Sequence, residues 1–164
     1  MTRGEICAQW WRAALADRDS GAARGLAARL RRADGLAVLA EPQVHLLAQR
    51  LEMGPADAAR LVRVVQVLAE LRENDGAPLA RRLSGVLSSL RFQRLMRLEG
   101  DEFVTQLRRA VIMADRRCNV ARLAGDLLSW EHSEAGDRIR AGWCFDYFGG
   151  SLDGAPAVTE EKAG

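Results

Sequence analysis

Between Ser88 and Arg117 the chain repeats one pattern twice: apolar residues at helical spacing, with arginines on the opposite side. With Ser89 as N-cap, Phe92, Leu95 and Met96 share one face of a short helix, and Arg91, Arg94 and Arg97 share the other. Gly100 stops that helix, and Asp101 is placed to cap the next. There Phe103, Leu107, Ala110, Val111 and Ala114 form an apolar stripe, with Arg109 and Arg116 two turns apart on the far side. Such a stretch folds only as a helix pair that buries one side and presents arginine on the other. It holds no candidate catalytic group.

The rest of the chain follows the same period. Ile6, Cys7, Trp10 and Ala14 mark a first helix ending near Asp17, and Ser20 caps a second with Ala23, Leu26, Ala27 and Leu30 inward. Asp34-Gly35 ends that helix, Pro42 begins another, and Gly54-Pro55 with Asp57 opens a fourth. The fourth is apolar on most sides through Leu71, which its length makes a buried central helix despite its valines. Asn74-Asp75-Gly76-Ala77-Pro78 is the clearest turn and divides two helical halves. Asn119 caps a further helix, and Ser133 opens the last, with Ile139, Trp143 and Tyr147 in a stripe. Phe145 and Phe148 fall off that stripe; a helix apolar on two faces is either sandwiched in the core, the reading favoured here, or partly exposed for a partner.

Aromatic and β-branched residues are too sparse for an all-β fold. The expectation is an all-α, single-domain bundle of about eight helices over residues 1–148. Residues 149–164, rich in Gly, Pro, Ala and acids, read as a disordered C-terminal tail.

Function classes are narrowed by what is missing. Cys7, Cys118 and Cys144 are an odd number without CxxC spacing, and His45 has no second ligand nearby, so no metal, cofactor or disulfide framework is expected. Neither a phosphate-binding glycine loop nor a hydrolase or protease motif occurs, and an enzyme is not expected. Asp146, beside Trp143 and Tyr147, reads as a structural partner for an arginine. With no secretory leader or apolar run of membrane length, a reduced, cytoplasmic protein is expected.

Charge points further. Of 24 basic residues 23 are arginine, and from Pro78 to Arg122 ten arginines face four acids. Arg91, Arg94 and Arg97 have no acid four residues earlier in their own helix, and Arg108-Arg109 and Arg116-Arg117 are doublets. A planar guanidinium suits phosphate, and the absence of evident stacking aromatics favours backbone tracking over base reading. A merely solvated arginine surface is the competing reading.

Several motifs in order carry a family resemblance: Trp10-Trp11-Arg12, Ser89-Leu90-Arg91-Phe92-Gln93-Arg94-Leu95, Leu107-Arg108-Arg109-Ala110, Asn119-Val120-Ala121-Arg122-Leu123 running to Leu128-Ser129-Trp130, and Trp143-Cys144-Phe145-Asp146-Tyr147. Together they resemble the CasB family, the small subunits of the type I-E CRISPR surveillance complex Cascade. The resemblance implies a helical, non-catalytic subunit of antiviral defence. Its implied partners are the backbone and large subunits, a second copy of itself, guide RNA and target DNA, the displaced strand especially. It implies an R-loop-stabilising basic surface. Arg91 and Arg94 fall in the Arg-Phe motif, Arg108 and Arg109 in the Leu-Arg-Arg motif, and Arg29, Arg31 and Arg32 in a basic run. Arg116 joins them from its helix face alone. Trp10, Trp130 and Trp143 match core positions. Two other readings stand beside this one: a helical protein–protein adaptor, and a helix-turn-helix DNA-binding regulator.

Overall fold

The structure, a computed structural model, describes residues 1–153. Ten α-helices form the described chain: α1 (Arg3–Ala14), α2 (Gly21–Arg32), α3 (Gly35–Leu39), α4 (Pro42–Arg50), α5 (Ala58–Glu70), α6 (Leu79–Leu83), α7 (Ser89–Arg97), α8 (Gly100–Met113), α9 (Val120–Leu128) and α10 (Ser133–Asp153). A 3₁₀ turn at Pro55–Asp57 leads into α5. The expected eight become ten because α3 and α6, of five residues each, are too short to show a helical period in sequence.

Helix α5 is the axis of the fold. Leu61, Val64, Val65, Val67, Leu68 and Ala69 are all buried, so the valines serve a helix enclosed on most sides. It packs against α2, α3, α8 and α9, while α1 lies along α9 and α10 along α6. Trp10 and Trp11 seat α1: their indole N–H groups donate to the carbonyls of Gln43 (2.8 Å) and Leu71 (3.3 Å). Burying side chains of this size contributes about 1.5–3 kcal/mol each. Gly4 lets α1 touch α9, since a Cβ there would lie 2.1 Å from the carbonyl oxygen of Ala121.

Short strands β1 (Glu73–Asn74) and β2 (Arg117–Cys118) pair in parallel, Glu73 opposite Arg117 and Asn74 opposite Cys118. Each carries residues from one side of a turn, so the two helical halves of the sequence close on each other. The strand before Pro78 replaces part of the expected turn. Asp75 retains turn chemistry, its carboxylate accepting from the Ala77 N–H and pairing with Arg82.

Several local expectations shift. The N-cap of α7 is Ser88, whose hydroxyl accepts from the Arg91 N–H at 3.2 Å, and Ser89 is the first helical residue. Glu99 precedes α8 and Asp101 lies in its first turn; the entry is fixed by Gly100, whose φ of +61° suits glycine. Asp34 caps α3 instead of only ending α2. Helix α10 runs through Asp153, beyond the expected boundary at 148; residues 154–164 of the expected tail lie outside the described residues.

Phe145 is a correction of substance: it is 82% exposed. Helix α10 is covered on one side, where Tyr147 and Trp143 are buried, and among the described residues nothing covers Phe145 on the opposite face. Phe148 is also exposed, at 39%, though its ring keeps edge contact with Phe92 and Tyr147. Asp146 does pair with an arginine, Arg122, at 2.6 Å.

Among the described residues no helix is long and apolar enough to cross a membrane, and no group of three or more His, Cys, Asp or Glu is placed to hold a metal. Burial pushes the thiols of Cys7 and Cys118 up to about 11 and about 12. Thiolate, the reactive form, is therefore scarce at both at pH 8, whereas Cys144 is half-buried. A disulfide-exchange titration of the native protein at pH 8 is expected to label Cys144 first, with the other two thiols released only on unfolding. Simultaneous reaction of all three would show that the core opens on the reagent's timescale.

Candidate nucleic-acid interface

The arginines divide into two assemblies, and the packing of the helices decides which side chain joins which. Helix α7 is held from beneath. Phe92, Leu95 and Met96 are buried, and Phe92 stacks on Tyr147 of α10 at 4.1 Å and 7°. Helix α8 is held in the same way, Phe103 stacking on Trp130 at 4.4 Å while Gly100 donates its N–H to Glu131 at 3.1 Å. The upper flanks of the two helices bound an open groove of about 580 Å³. Arg91, Arg94 and Arg97 line it from α7 and Arg109 from α8, above a floor that includes Leu87, Leu95, Leu98, Ala110 and Met113.

All four arginines are exposed. Among the described residues none of their guanidinium groups has a hydrogen bond or an ion pair. Glu102 is the one acid lining the groove, so the lining carries a net charge of +3. Guanidinium groups without internal partners offer every N–H to a ligand, and fields from neighbouring cations add in a concave site. Arg97 lies outside the Arg-Phe motif, and its spacing from Arg91 and Arg94 on the same helix face is the sequence signal that adds it to the site.

The second assembly surrounds Glu70, the last residue of α5 and 5% exposed. Arg108 donates from Nε to Glu70 at 3.0 Å and from Nη2 to the Arg31 carbonyl at 2.6 Å. Arg116 reaches the same carboxylate at 2.9 Å and the Glu70 carbonyl at 3.2 Å. Its backbone is left-handed (φ 58°), as is that of Asp115 (φ 59°), and this turn carries the chain from α8 to β2. Arg18 donates to the carbonyls of Ala69 (3.1 Å) and Leu71 (2.9 Å), satisfying the C-terminal end of α5. Desolvation holds Arg18 and Arg31 below the usual arginine value, the positive charges of Arg72 and Arg116 adding to it at both. Arg31 is half-buried, and its Nη1 is buried with no hydrogen-bond partner. Glu70 and Arg18 carry no sequence signal of their role, beyond Glu70 being an acid at the end of an apolar run.

Of the predicted residues, then, Arg91, Arg94 and Arg109 meet in the groove, and Arg31, Arg108 and Arg116 meet around Glu70. Arg29 and Arg32 join neither. Arg29 is exposed and forks onto Glu41 at 2.7 and 3.2 Å, a hydrogen-bonded pair that raises its pKa. Arg32 is exposed and donates to the Ala28 carbonyl at 3.2 Å.

Chemically, the groove sets four guanidinium groups, donors of the kind that pair with phosphate, above an apolar floor. It holds no tryptophan, tyrosine or phenylalanine on which a base would stack and few acceptors for base edges. It suits a nucleic-acid backbone regardless of sequence.

The family model described as CRISPR-associated protein Cse2 matches residues 26–148. The fold resembles the crystal structure of TTHB189, a CRISPR-associated protein of the Cse2 family from Thermus thermophilus, with a TM-score of 0.74 and 25% identity over 91% of this chain and 99% of that one. A crystal structure of CasB from Thermus thermophilus aligns with a TM-score of 0.73 and 25% identity, over 91% of this chain and 99% of the other. A chain in the crystal structure of E. coli Cascade bound to a PAM-containing double-stranded DNA target shares the fold, with a TM-score of 0.67 and 22% identity over 90% of this chain and 97% of that one. No curated protein matches in sequence.

Proposed function

Because the chain belongs to the Cse2 family of CRISPR-associated proteins, we propose that it is the small subunit of a type I-E Cascade complex and grips nucleic acid in the α7–α8 groove. It acts without catalysis, beside the backbone and large subunits and a second copy of itself, and stabilises the opened target, the displaced strand above all. The observation that carries this reading is the set of four exposed arginines without internal partners, converging on one groove. Arginines of a merely solvated surface or an adaptor would have no reason to converge. A helix-turn-helix regulator needs a recognition helix free to enter a major groove, and α8 is buried along Phe103, Val104, Leu107, Ala110 and Val111.

The assignment narrows the predicted set. Arg91, Arg94, Arg97 and Arg109 carry the contact, while Arg108 and Arg116 hold Glu70 and the end of α5 in place. Arg31 lies beside that cluster, and Arg29 and Arg32 stand apart from both assemblies at the end of α2.

Exchanging a DNA duplex for a guide–target hybrid is near balance in RNA-guided recognition, so modest backbone contacts decide how long the opened state lasts. Replacing Arg94 and Arg109 together with Glu is expected to leave folding and assembly intact, since both side chains project from the protein. The lifetime of the opened target in the purified complex should fall by roughly tenfold at low salt, as two exposed charge-assisted contacts are worth about 1–2 kcal/mol together. The difference should shrink as salt rises. An unchanged lifetime with normal subunit content would overturn the assignment, and loss of the subunit from the complex would make these arginines protein–protein contacts.

A further inference from the structure

The arginines gathered at the end of α5 outnumber what one carboxylate can balance. We infer that Arg18, Arg31 and Arg72 form a second anion site there, separate from the groove, and that it takes a single phosphate group.

The framework of the site is already fixed. Arg116 donates to the carboxylate and the carbonyl of Glu70, and Arg108 to that carboxylate and to the Arg31 carbonyl. Arg18 donates to the carbonyls of Ala69 and Leu71. The backbone N–H of Arg72 bonds to the Arg116 carbonyl at 2.7 Å. The ends of α2 and α5, the loop after α1 and the turn after α8 are thereby tied together. Donors held in this way have little freedom left to lose when a ligand arrives.

The charge in this framework does not close. Arg72 and Arg116 lie near enough for their charge to act on both Arg18 and Arg31, and Glu70 is the acid that offsets them. Five arginines against one glutamate leave an excess of four positive charges. Half-buried cations repel one another more strongly than cations on an open surface.

Unused donors belong to three of the five. The Arg31 guanidinium makes no hydrogen bond or ion pair among the described residues, and its Nη1 is closed off from water as well. Arg18 gives Nη2 to two carbonyls and leaves Nε buried without an acceptor. Arg72 is exposed, and its guanidinium has no partner among the described residues. Because no bond ties the half-buried Arg31 fork, it is free to turn its N–H edge toward an acceptor arriving from solvent.

Three forks from three directions call for a compact anion with acceptors on several sides. A carboxylate presents two oxygens in one plane, whereas a phosphate group presents its oxygens tetrahedrally and pairs well with arginine. A free phosphate ion and a nucleic-acid backbone both supply that chemistry. The site and the groove lie on different flanks of α8, reached through Arg108 and Arg109, so one stands without the other.

The test titrates inorganic phosphate against the full chain, replacing chloride at constant ionic strength, and reads the Nε–Hε resonances of Arg18, Arg31 and Arg72 by NMR. They are expected to shift and saturate. Apparent affinity should fall at least about tenfold in Arg31→Gln/Arg72→Gln and stay within about twofold in Arg138→Gln, an exposed arginine of α10. In chloride the double variant should be as stable as wild type or more so, since neither guanidinium holds an internal bond. Phosphate at about ten times its dissociation constant should raise the wild-type Tm by roughly 3 °C and that of the double variant far less. Arg31→Lys, which keeps the charge without the fork, should bind phosphate several-fold more weakly than wild type. Resonances that follow chloride and phosphate alike, without saturation, would overturn the site, as would equal affinity in wild type and the double variant. A single-stranded oligonucleotide without terminal phosphate then separates the sources, in a chain whose groove carries Arg91→Gln and Arg94→Gln. Saturation of the same three resonances assigns the site to a nucleic-acid backbone. Saturation by inorganic phosphate alone assigns it to the free ion.

Discussion

Glu70→Ala is expected to lower folding stability by about 3 kcal/mol, the lower end of the cost of breaking a buried ion pair. The carboxylate is 6% exposed and accepts from both Arg108 and Arg116, whose side chains are 22% and 24% exposed. Those partners keep some contact with water, which holds the loss below what a fully buried triad would suffer. Alanine does more than delete two bonds. Arg18, Arg31, Arg72, Arg108 and Arg116 surround the site, and Glu70 raises the pKa of Arg18 and Arg31 against the others' repulsion. Without it five like charges face one another around the end of α5. Urea unfolding at two salt concentrations measures the effect, and added salt should restore part of it by screening. Glu70→Gln, which keeps an acceptor but not the charge, should fall in between. A loss under about 1 kcal/mol, the range of surface pairs, would show that solvent and not Glu70 balances the cluster.

Gly4→Ala runs against a general rule. Within a helix that substitution usually stabilises by about 0.5–1 kcal/mol. Here the added methyl would lie 2.1 Å from the Ala121 carbonyl oxygen and 3.2 Å from the Gly125 nitrogen, both backbone atoms unable to rotate aside. Helices α1 and α9 would have to move apart along their contact, loosening Cys7, Trp10 and Trp11 with them. The expected cost is about 3 kcal/mol, the upper end for overpacking. Gly21→Ala is the matched comparison: nothing lies within 4 Å of its Cβ position, at the start of α2. It should be neutral or raise stability by a few tenths of a kcal/mol. Thermal unfolding of both variants reads the opposite signs, and equal shifts would mean that α1 and α9 yield more readily than their backbone contact implies.

Most of the framework was legible because it is local. The stripes of α2, α7 and α8 are buried residue for residue, and Ser20 and Asn119 cap their helices as their side chains suggest. What stayed hidden depends on partners far away in sequence. Arg108 and Arg109 are neighbours with the same local signal, yet successive helical residues point about 100° apart. One turns to Glu70, far back in the chain; the other stands over the groove. Nothing near Arg108 reveals Glu70, so the two arginines read alike until the helices are packed. Phe145 failed for a similar reason: its apolarity says that water is unfavourable, not which neighbour is present to exclude it.

The small β1–β2 pair has a consequence for the order in which the molecule assembles. Its two strands bracket α6, α7 and α8, so the entire groove lies on an excursion of the chain fastened at its base. The fastening is shared by several polar links: the Arg72 N–H to the Arg116 carbonyl, the Asn119 N–H to the Ala77 carbonyl, and the Val120 N–H to the Asn74 side chain. Bringing distant segments together costs closure entropy before any of these bonds forms. That cost is smallest once α8 lies on α5 and α7 on α10, contacts that bring the two ends of the excursion close. The left-handed turn at Arg116 and the paired edge beside it belong to this same closure. On this account the link is expected to close late, with the groove and the stable fold arriving together.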